Sequence, residues 1–326
     1  MSDCRIAITG ANGFVGRALT RMLMEQGTPV IAIARPQTTC EPGVETKRIT
    51  SLDAVTPEIF AGAQAVVHLA ARVHVMRDAA ADPLAAFRAT NVEGTLKAAD
   101  AAVRAGATRF VFVSSIKALA ELDDGRPLKE TDERRPPDPY GVSKAEAEVE
   151  LREFGARTGL EIVIVRPPLV YGPEVGANFL SLMNAIARGM PLPIGAVKAQ
   201  RSLCYVDNLA SALAECSTHP RAAGQIFHVT DGEDPAVADL ARRLGVHLGR
   251  PARLVSLPVG LLKMAGRVTG RTAQIDRLTE SLRVDSTHIQ DMLGWRPPVS
   301  LDNGLAATAE WFLAAHRPAL TSSNNR

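Results

Sequence analysis

Tyr140 and Lys144, in Tyr140-Gly-Val-Ser-Lys144, are the first residues whose types and spacing suggest chemistry. Side chains four apart share one face of a helix, so the phenol and the amine point the same way. A free tyrosine ionises near pH 10, at about 10.0, and acts as a base near neutrality only if a cation stabilises its phenolate. Lys144 is the expected cation. An apolar run from Arg109 to Ser114 ends in Val113-Ser114-Ser115, which puts a hydroxyl at the carboxyl edge of a sheet, where ligands bind in open α/β folds. Ser115 is therefore expected to hydrogen-bond the reacting oxygen. Tyr-x-x-x-Lys alone also describes an aromatic ring packed under a lysine stem, so the pair gains weight only from its company.

That company is a glycine turn at the N-terminus. Gly10, Gly13 and Gly16 form a GxxGxxG pattern between a short apolar strand, Arg5 to Thr9, and the helical pattern Arg17 to Gln26. Glycines so placed allow a sharp turn, close backbone approach to a pyrophosphate and tight packing of helix on strand. The phosphate then meets the unpaired N–H groups of the helix N-terminus. The plain alternative is a structural turn. A second strand, Pro29 to Ala34, is followed by Arg35, at the position where an acid would hold the ribose hydroxyl of NAD and an arginine would pair with the extra phosphate of NADP. The expected cofactor is NAD or NADP, with Arg35 favouring NADP; a solvated arginine at a strand end is the alternative. Asp53 is a candidate for the adenine end, but spacing does not place its loop.

These residues need elements to position them. Further apolar runs at Ala65 to Leu69 and Leu160 to Val165, with helical stretches such as Asn91 to Ala105 and Ser143 to Thr158, read as strands covered on both faces by crossover helices. The expected class is α/β, a Rossmann-type doubly wound parallel sheet with a smaller C-terminal substrate-binding lobe. Residues 1–166 would form the dinucleotide-binding domain and 167–320 mainly the lobe, with segments such as Ile226 to Thr230 returning to the sheet and 321–326 a frayed tail. Helical pieces are expected at Phe179 to Arg188, Val206 to Cys216 and Val237 to Leu248.

Composition narrows the function classes. The 326 residues are 46% hydrophobic and 22% charged, enough to bury a sizeable core. Lys plus Arg number 37 and Asp plus Glu 35, a net charge of +2, which supplies no basic field for a nucleic-acid backbone. Cys4, Cys40, Cys204 and Cys216 have neither the CxxC pairing nor the histidine spacing of a metal site, and read as free thiols of a reducing compartment. The best apolar run, Leu257 to Ala265, is broken by Lys263 and is shorter than the roughly 18 residues of a membrane span. A cytoplasmic protein with no membrane, metal or nucleic-acid partner is expected.

Taken in order, the glycine turn, the serine-ended strand and Tyr-x-x-x-Lys resemble an extended short-chain dehydrogenase/reductase of the nucleotide-sugar epimerase/dehydratase family. The likeness extends through Val67-His-Leu-Ala-Ala71, Asn91-Val-Glu-Gly-Thr95, Arg166-Pro-Pro-Leu-Val-Tyr-Gly-Pro173, Arg201 with Tyr205-Val-Asp207, and Leu293-Gly-Trp295-Arg-Pro297. By resemblance, Ser115, Tyr140 and Lys144 are catalytic. The cofactor set comprises Gly10, Asn12, Gly13, Phe14, Val15, Gly16, Arg35, Leu69, Ala70, Ala71, Asn91, Ser114, Tyr140, Lys144 and Pro167. Asn91 would support the lysine side of a proton relay. Substrate would meet Ser115 and Tyr140, with Asn178 and Arg201 at its diphosphate; a helix N-cap and a surface salt bridge are the alternatives for those last two. Leu169 departs from the asparagine of many relatives. His74 and Met76 are candidates for the sugar end, and a surface histidine is the alternative for His74. Relatives often pair through long helices, here Pro83 to Ala105 and Tyr140 to Thr158, which implies a homodimer.

Dehydratases of this kind follow the catalytic hydroxyl with an Asp-Glu pair, because eliminating water needs an additional acid and base. Ser115 is followed by Ile116-Lys117, which speaks against dehydration. The resemblance then implies hydride transfer at C4 of a UDP-hexose, as in a UDP-sugar 4-epimerase of the UDP-glucose 4-epimerase type. The alternative is an NADPH-dependent reductase of a UDP-4-keto-6-deoxy-N-acetylhexosamine in surface-polysaccharide synthesis. A reductase of ketones or hydroxysteroids would have no use for Asn178 and Arg201. A redox sensor without chemistry would not need Tyr140 and Lys144.

Overall fold

The computed structural model describes residues 4–73, 82–270 and 272–321, of which 316–321 are described in backbone only. The strands are β1 (Ile6–Thr9), β2 (Val30–Ala34), β3 (Glu45–Arg48), β4 (Ala65–His68), β5 (Arg109–Val113), β6 (Glu161–Arg166), β7 (Leu169–Tyr171), β8 (Leu203–Tyr205) and β9 (Ile226–His228). Among the described residues, seven of them form one parallel sheet in the order β3-β2-β1-β4-β5-β6-β9, and β7 and β8 form a separate parallel pair. This is the Rossmann-type α/β architecture, with the order reversing between β1 and β4. Ile226–His228 pairs with β6.

The helices are α1 (Phe14–Glu25), α2 (Pro83–Arg88), α3 (Gly94–Arg104), α4 (Pro139–Thr158), α5 (Ala177–Ala187), α6 (Val206–Thr218), α7 (Val237–His247), α8 (Val259–Val268), α9 (Thr272–Thr279), α10 (Thr287–Leu293) and α11 (Leu301–Thr321). Alternation along the strands divides the core. Ile8, Val67, Val111 and Val165 pack with Leu19 and Leu23 of α1, Leu209 of α6 and Phe312 of α11. Ile31, Val66, Phe110, Phe112 and Ile164 pack on the other face with Ala98 and Ala102 of α3 and Leu151 of α4. The first of these cores continues into Phe179, Met183 and Leu244, so the chain beyond Pro167 packs on the sheet.

Two local features differ from the sequence expectation. β3 reads Glu-Thr-Lys-Arg, half exposed at the sheet edge; an edge strand needs no apolar run, so no apolar signal marks it. The stretch expected as helix from Asn91 begins instead with a wide π-turn, Ala89–Glu93, before α3. Such turns insert a residue without a compositional signature. By contrast, α4 begins where its sequence demands. Asp138 caps it by accepting from Gly141 N at 2.8 Å, Pro139 occupies the first turn, and Gly159 ends it in a left-handed conformation at φ +80°. The four cysteines are free thiols.

Candidate active site

The carboxyl ends of β1, β2, β4 and β5 open into a cavity of about 880 Å³, within the roughly 300–1,000 Å³ of ligand pockets. At its near end the chain turns at Gly10, whose φ is +71° and whose added Cβ would lie 2.9 Å from Ala70 N. A Cβ on Gly16 would lie 2.3 Å from Gly10 O, so the glycines let the first turn of α1 press against β1. Gly13 caps α1 with no side-chain acceptor for its first N–H groups, and Gly10, Asn12, Gly13, Phe14, Val15 and Gly16 all line the cavity. That is the construction of an anion-binding helix terminus.

Arg35 and Asp53 stand at the edge of the same cavity near β2. Arg35 is exposed, and the carboxylate of Asp53 is taken by Lys97 Nζ at 2.5 Å. Leu69, Ala70 and Ala71 form the wall after β4, and Ser114, Ser115, Tyr140, Lys144 and Pro167 close the far end. The residues present fit a nicotinamide dinucleotide: a glycine cradle at one end, a hydroxyl, a phenol and an amine at the other.

At that far end Tyr140 and Ser115 both line the cavity, with the Ser115 hydroxyl placed to favour the ionised phenol, and Ser115 caps the short turn Ile116–Ala118 by accepting from Lys117 N at 3.2 Å. The Tyr140 ring meets the Phe87 ring edge-on, with centroids 6.0 Å apart. Lys144 is buried; its Nζ donates to Val113 O at 2.9 Å and lies 4.5 Å from the centroid of the Phe112 ring. Burial lowers Lys144 to about 7, against an opposing pull from Glu148. Burial raises Tyr140 to about 12, opposed by Ser115 and reinforced by Asp138. Burial thus pulls both groups toward their neutral forms, and Ser115 favours the phenolate.

Three further candidates do not line this cavity. Asn91 is fully buried behind the wall, not on it. Its Oδ1 accepts from Arg72 N at 2.8 Å, and its Nδ2 donates to Arg72 O at 3.0 Å and to Ser143 Oγ at 3.0 Å. It therefore fixes the backbone of Arg72, which does line the cavity, to the helix bearing Tyr140. Asn178 is exposed in the first turn of α5, whose N-cap is Gly176, so the N-cap alternative does not hold. Arg201 is half-buried and donates through Nη2 to Arg277 O. Neither Asn178 nor Arg201 lines the cavity. Leu169 stands half exposed on β7, and its neighbour Val170 reaches the cavity instead. His74 and Met76 lie outside the described residues.

Sequence reasoning missed the wall after β3, Ile49 to Leu52, together with Arg72, Thr90 and Leu209. The first followed from missing an edge strand; Thr90, beside Asn91, was within reach of the same motif. It also did not single out His68, buried beneath the site with Nδ1 2.9 Å from Thr9 Oγ1 and Nε2 3.2 Å from Thr95 Oγ1. Among the described residues, no cluster of metal-ligating side chains occurs, and no helix is long and apolar enough to cross a membrane.

Residues 6–230 match the NAD dependent epimerase/dehydratase family. The chain belongs to that family. This family member is 38% identical over 315 residues to a UDP-glucose 4-epimerase of Vibrio cholerae, a match covering 95% of this chain and 96% of that one. Its fold is that of a UDP-glucose 4-epimerase from Thermotoga maritima solved with UDP-glucose, with a TM-score of 0.77 at 24% identity over 95% of this chain and 99% of the other. MoeE5, solved in complex with UDP-glucuronic acid and NAD, has a TM-score of 0.75 at 26% identity over 95% of this chain and 99% of that one. The chain is thus an enzyme of the NAD-dependent epimerase/dehydratase family, and the cavity from Gly10 to Tyr140 holds residues that fit the dinucleotide.

Proposed function

We propose that the chain is a UDP-hexose 4-epimerase. The observation that carries the reading is the meeting of Ser115, Tyr140 and Lys144 at the far end of a dinucleotide-sized cavity, in a chain similar over nearly its whole length to a UDP-glucose 4-epimerase. Bound NAD supplies hydride acceptance and return at C4. The chain's own residues handle the proton. Tyr140 takes it from the C4 hydroxyl, with Ser115 holding the oxygen and easing phenol ionisation, and gives it back once the ketone is reduced on its other face. A phenol raised to about 12 is well suited to the second of these steps. Lys117 stands where a dehydratase carries an acid, tied to Asp138 at 2.7 Å and Glu121 at 3.2 Å, which supports epimerisation over loss of water.

Asn178 and Arg201 are assigned to the substrate diphosphate, a half-buried guanidinium being suited to that charge. Cytoplasmic location and pairing as a homodimer through α2, α3 and α4 belong to the same reading.

Arg35 favours a second reading, a 4-keto reductase using NADPH, because it is exposed at the edge of the cavity where a 2′-phosphate would approach. One experiment separates the two. Pure protein with NAD is incubated with UDP-glucose or UDP-N-acetylglucosamine without reductant, and the sugars are followed by proton NMR. The C4 epimer is the expected product. NADPH consumption with a UDP-4-keto-6-deoxy-N-acetylhexosamine, and no epimer from either hexose, would establish the reductase instead; neither activity would overturn both.

A further inference from the structure

One turn beyond Lys144 on α4 lies Glu148, fully buried. Its Oε1 accepts from Ser114 Oγ at 2.6 Å and Arg166 Nε at 2.9 Å; its Oε2 accepts from Arg166 Nη2 at 2.6 Å and Arg134 Nη2 at 2.9 Å. Arg166 is itself buried at the end of β6. Well-packed apolar side chains join a helix to a sheet at least as stably as a buried ion pair, so packing alone does not account for this group. Its placement does. Ser114 precedes Ser115, and Arg166 precedes Pro167 and Pro168; the two serines and the two prolines line the cavity. A single carboxylate thus ties the ends of β5 and β6 to the helix that presents Tyr140 and Lys144.

The same carboxylate acts on charge. Facing Lys144 and Glu148 are Tyr140 on α4, the Val113 carbonyl, the Phe112 ring and Ser114 on β5, His68 on β4, Arg166 on β6 and Arg134 ahead of α4. Arg166 also reaches the Glu130 carbonyl at 3.4 Å and acts on His228 of β9, while Arg152 acts on Arg134. His68 and His228 are held neutral by burial. Within this group Glu148 carries the negative charge, and Arg134 and Arg166 temper it.

We propose that Glu148 is a positioning residue for proton transfer, fixing the ends of β5 and β6 against α4 and keeping the Lys144 amine protonated through its charge. The inference rests on Tyr140 being the proton-transfer group with Lys144 at the same end of the cavity, and it separates from that reading by experiment. Competitive acetylation of Lys144 with acetic anhydride as a function of pH, quantified by peptide mass spectrometry, gives the midpoint of its titration without requiring turnover. Glu148→Gln should lower that midpoint by about one pH unit, and Arg134→Met, which removes a cation, should raise it by a similar amount. Purely structural roles would not move the two variants in opposite directions. Should Glu148→Gln fail to fold, Arg134→Met at the rim decides alone. A folded variant whose midpoint stays in place or moves the other way overturns the inference. In that event an inactive Tyr140→Phe leaves the proton-transfer reading standing, whereas an active one removes the reading itself.

Discussion

A phenol raised to about 12 beside an amine lowered to about 7 makes Tyr140 a reluctant base, and Ser115 is the neighbour that favours its ionised form. Tyr140→Phe keeps the ring against Phe87 and removes only the group that moves the proton. It should lower kcat by roughly 10²–10⁴-fold while leaving NAD affinity within about threefold, a change of under roughly 0.7 kcal/mol. Steady-state assays and a fluorescence titration with NADH read the two quantities, and an undiminished kcat would take Tyr140 out of the reaction. At this scale the sequence revealed the identity of the groups, because i to i+4 spacing follows from helix geometry. It could not reveal the pull on their protonation, which comes first from burial and then from Ser115 on the phenol and Glu148 on the amine, none of which leaves a mark in Tyr-x-x-x-Lys.

Between β1 and α1 the element itself is the binding device, and its tolerance is small. A Cβ on Gly16 would meet Gly10 O at 2.3 Å and Ala11 Cα at 2.7 Å, both backbone atoms, so even Gly16→Ala must push α1 away from the turn. That displacement should cost about 1–3 kcal/mol of stability and weaken NAD binding by about tenfold or more, roughly 1.4 kcal/mol. Urea unfolding and the same NADH titration test it, and wild-type values for both would mean that the turn can yield. Elements with buried faces were readable: β1, β2, β4, β5 and β6 are apolar runs because helices cover both of their faces. The polar edge strand β3 and the π-turn at Ala89–Glu93 were not. The first needs no apolar residues, and the second redirects Asn91 toward Arg72 and Ser143 by one inserted residue that no composition betrays. Arg201 shows the same limit from the other side: its type was legible, but its seat against the Arg277 carbonyl depends on α9, which lies far along the chain.

The sheet as a whole holds two histidines out of water, His68 on β4 and His228 on β9, and the folding equilibrium must register them. Burial lowers each to about 3, whereas in the unfolded chain a histidine titrates near about 6.5. Between those values the unfolded state binds protons that the native state refuses, so stability present above the unfolded value is lost as pH falls through the window. The slope is roughly 1.4 kcal/mol per pH unit for each histidine. Lys144, lowered to about 7, gains its proton above this window and contributes little to the slope within it. Carboxylates enter toward its acid end with mixed sign, since Asp123 and Asp132 are lowered and Glu130 and Asp234 raised. Comparing wild type with a histidine variant at one pH isolates that histidine from the carboxylates. In the upper half of the window His228→Gln should lower the proton uptake on urea unfolding by about one, because His228 Nε2 is buried without a hydrogen-bond partner. An unchanged slope in that variant would mean that His228 is already protonated in the native sheet, paired with the Glu130 carboxylate that lies 3.9 Å from its Nδ1.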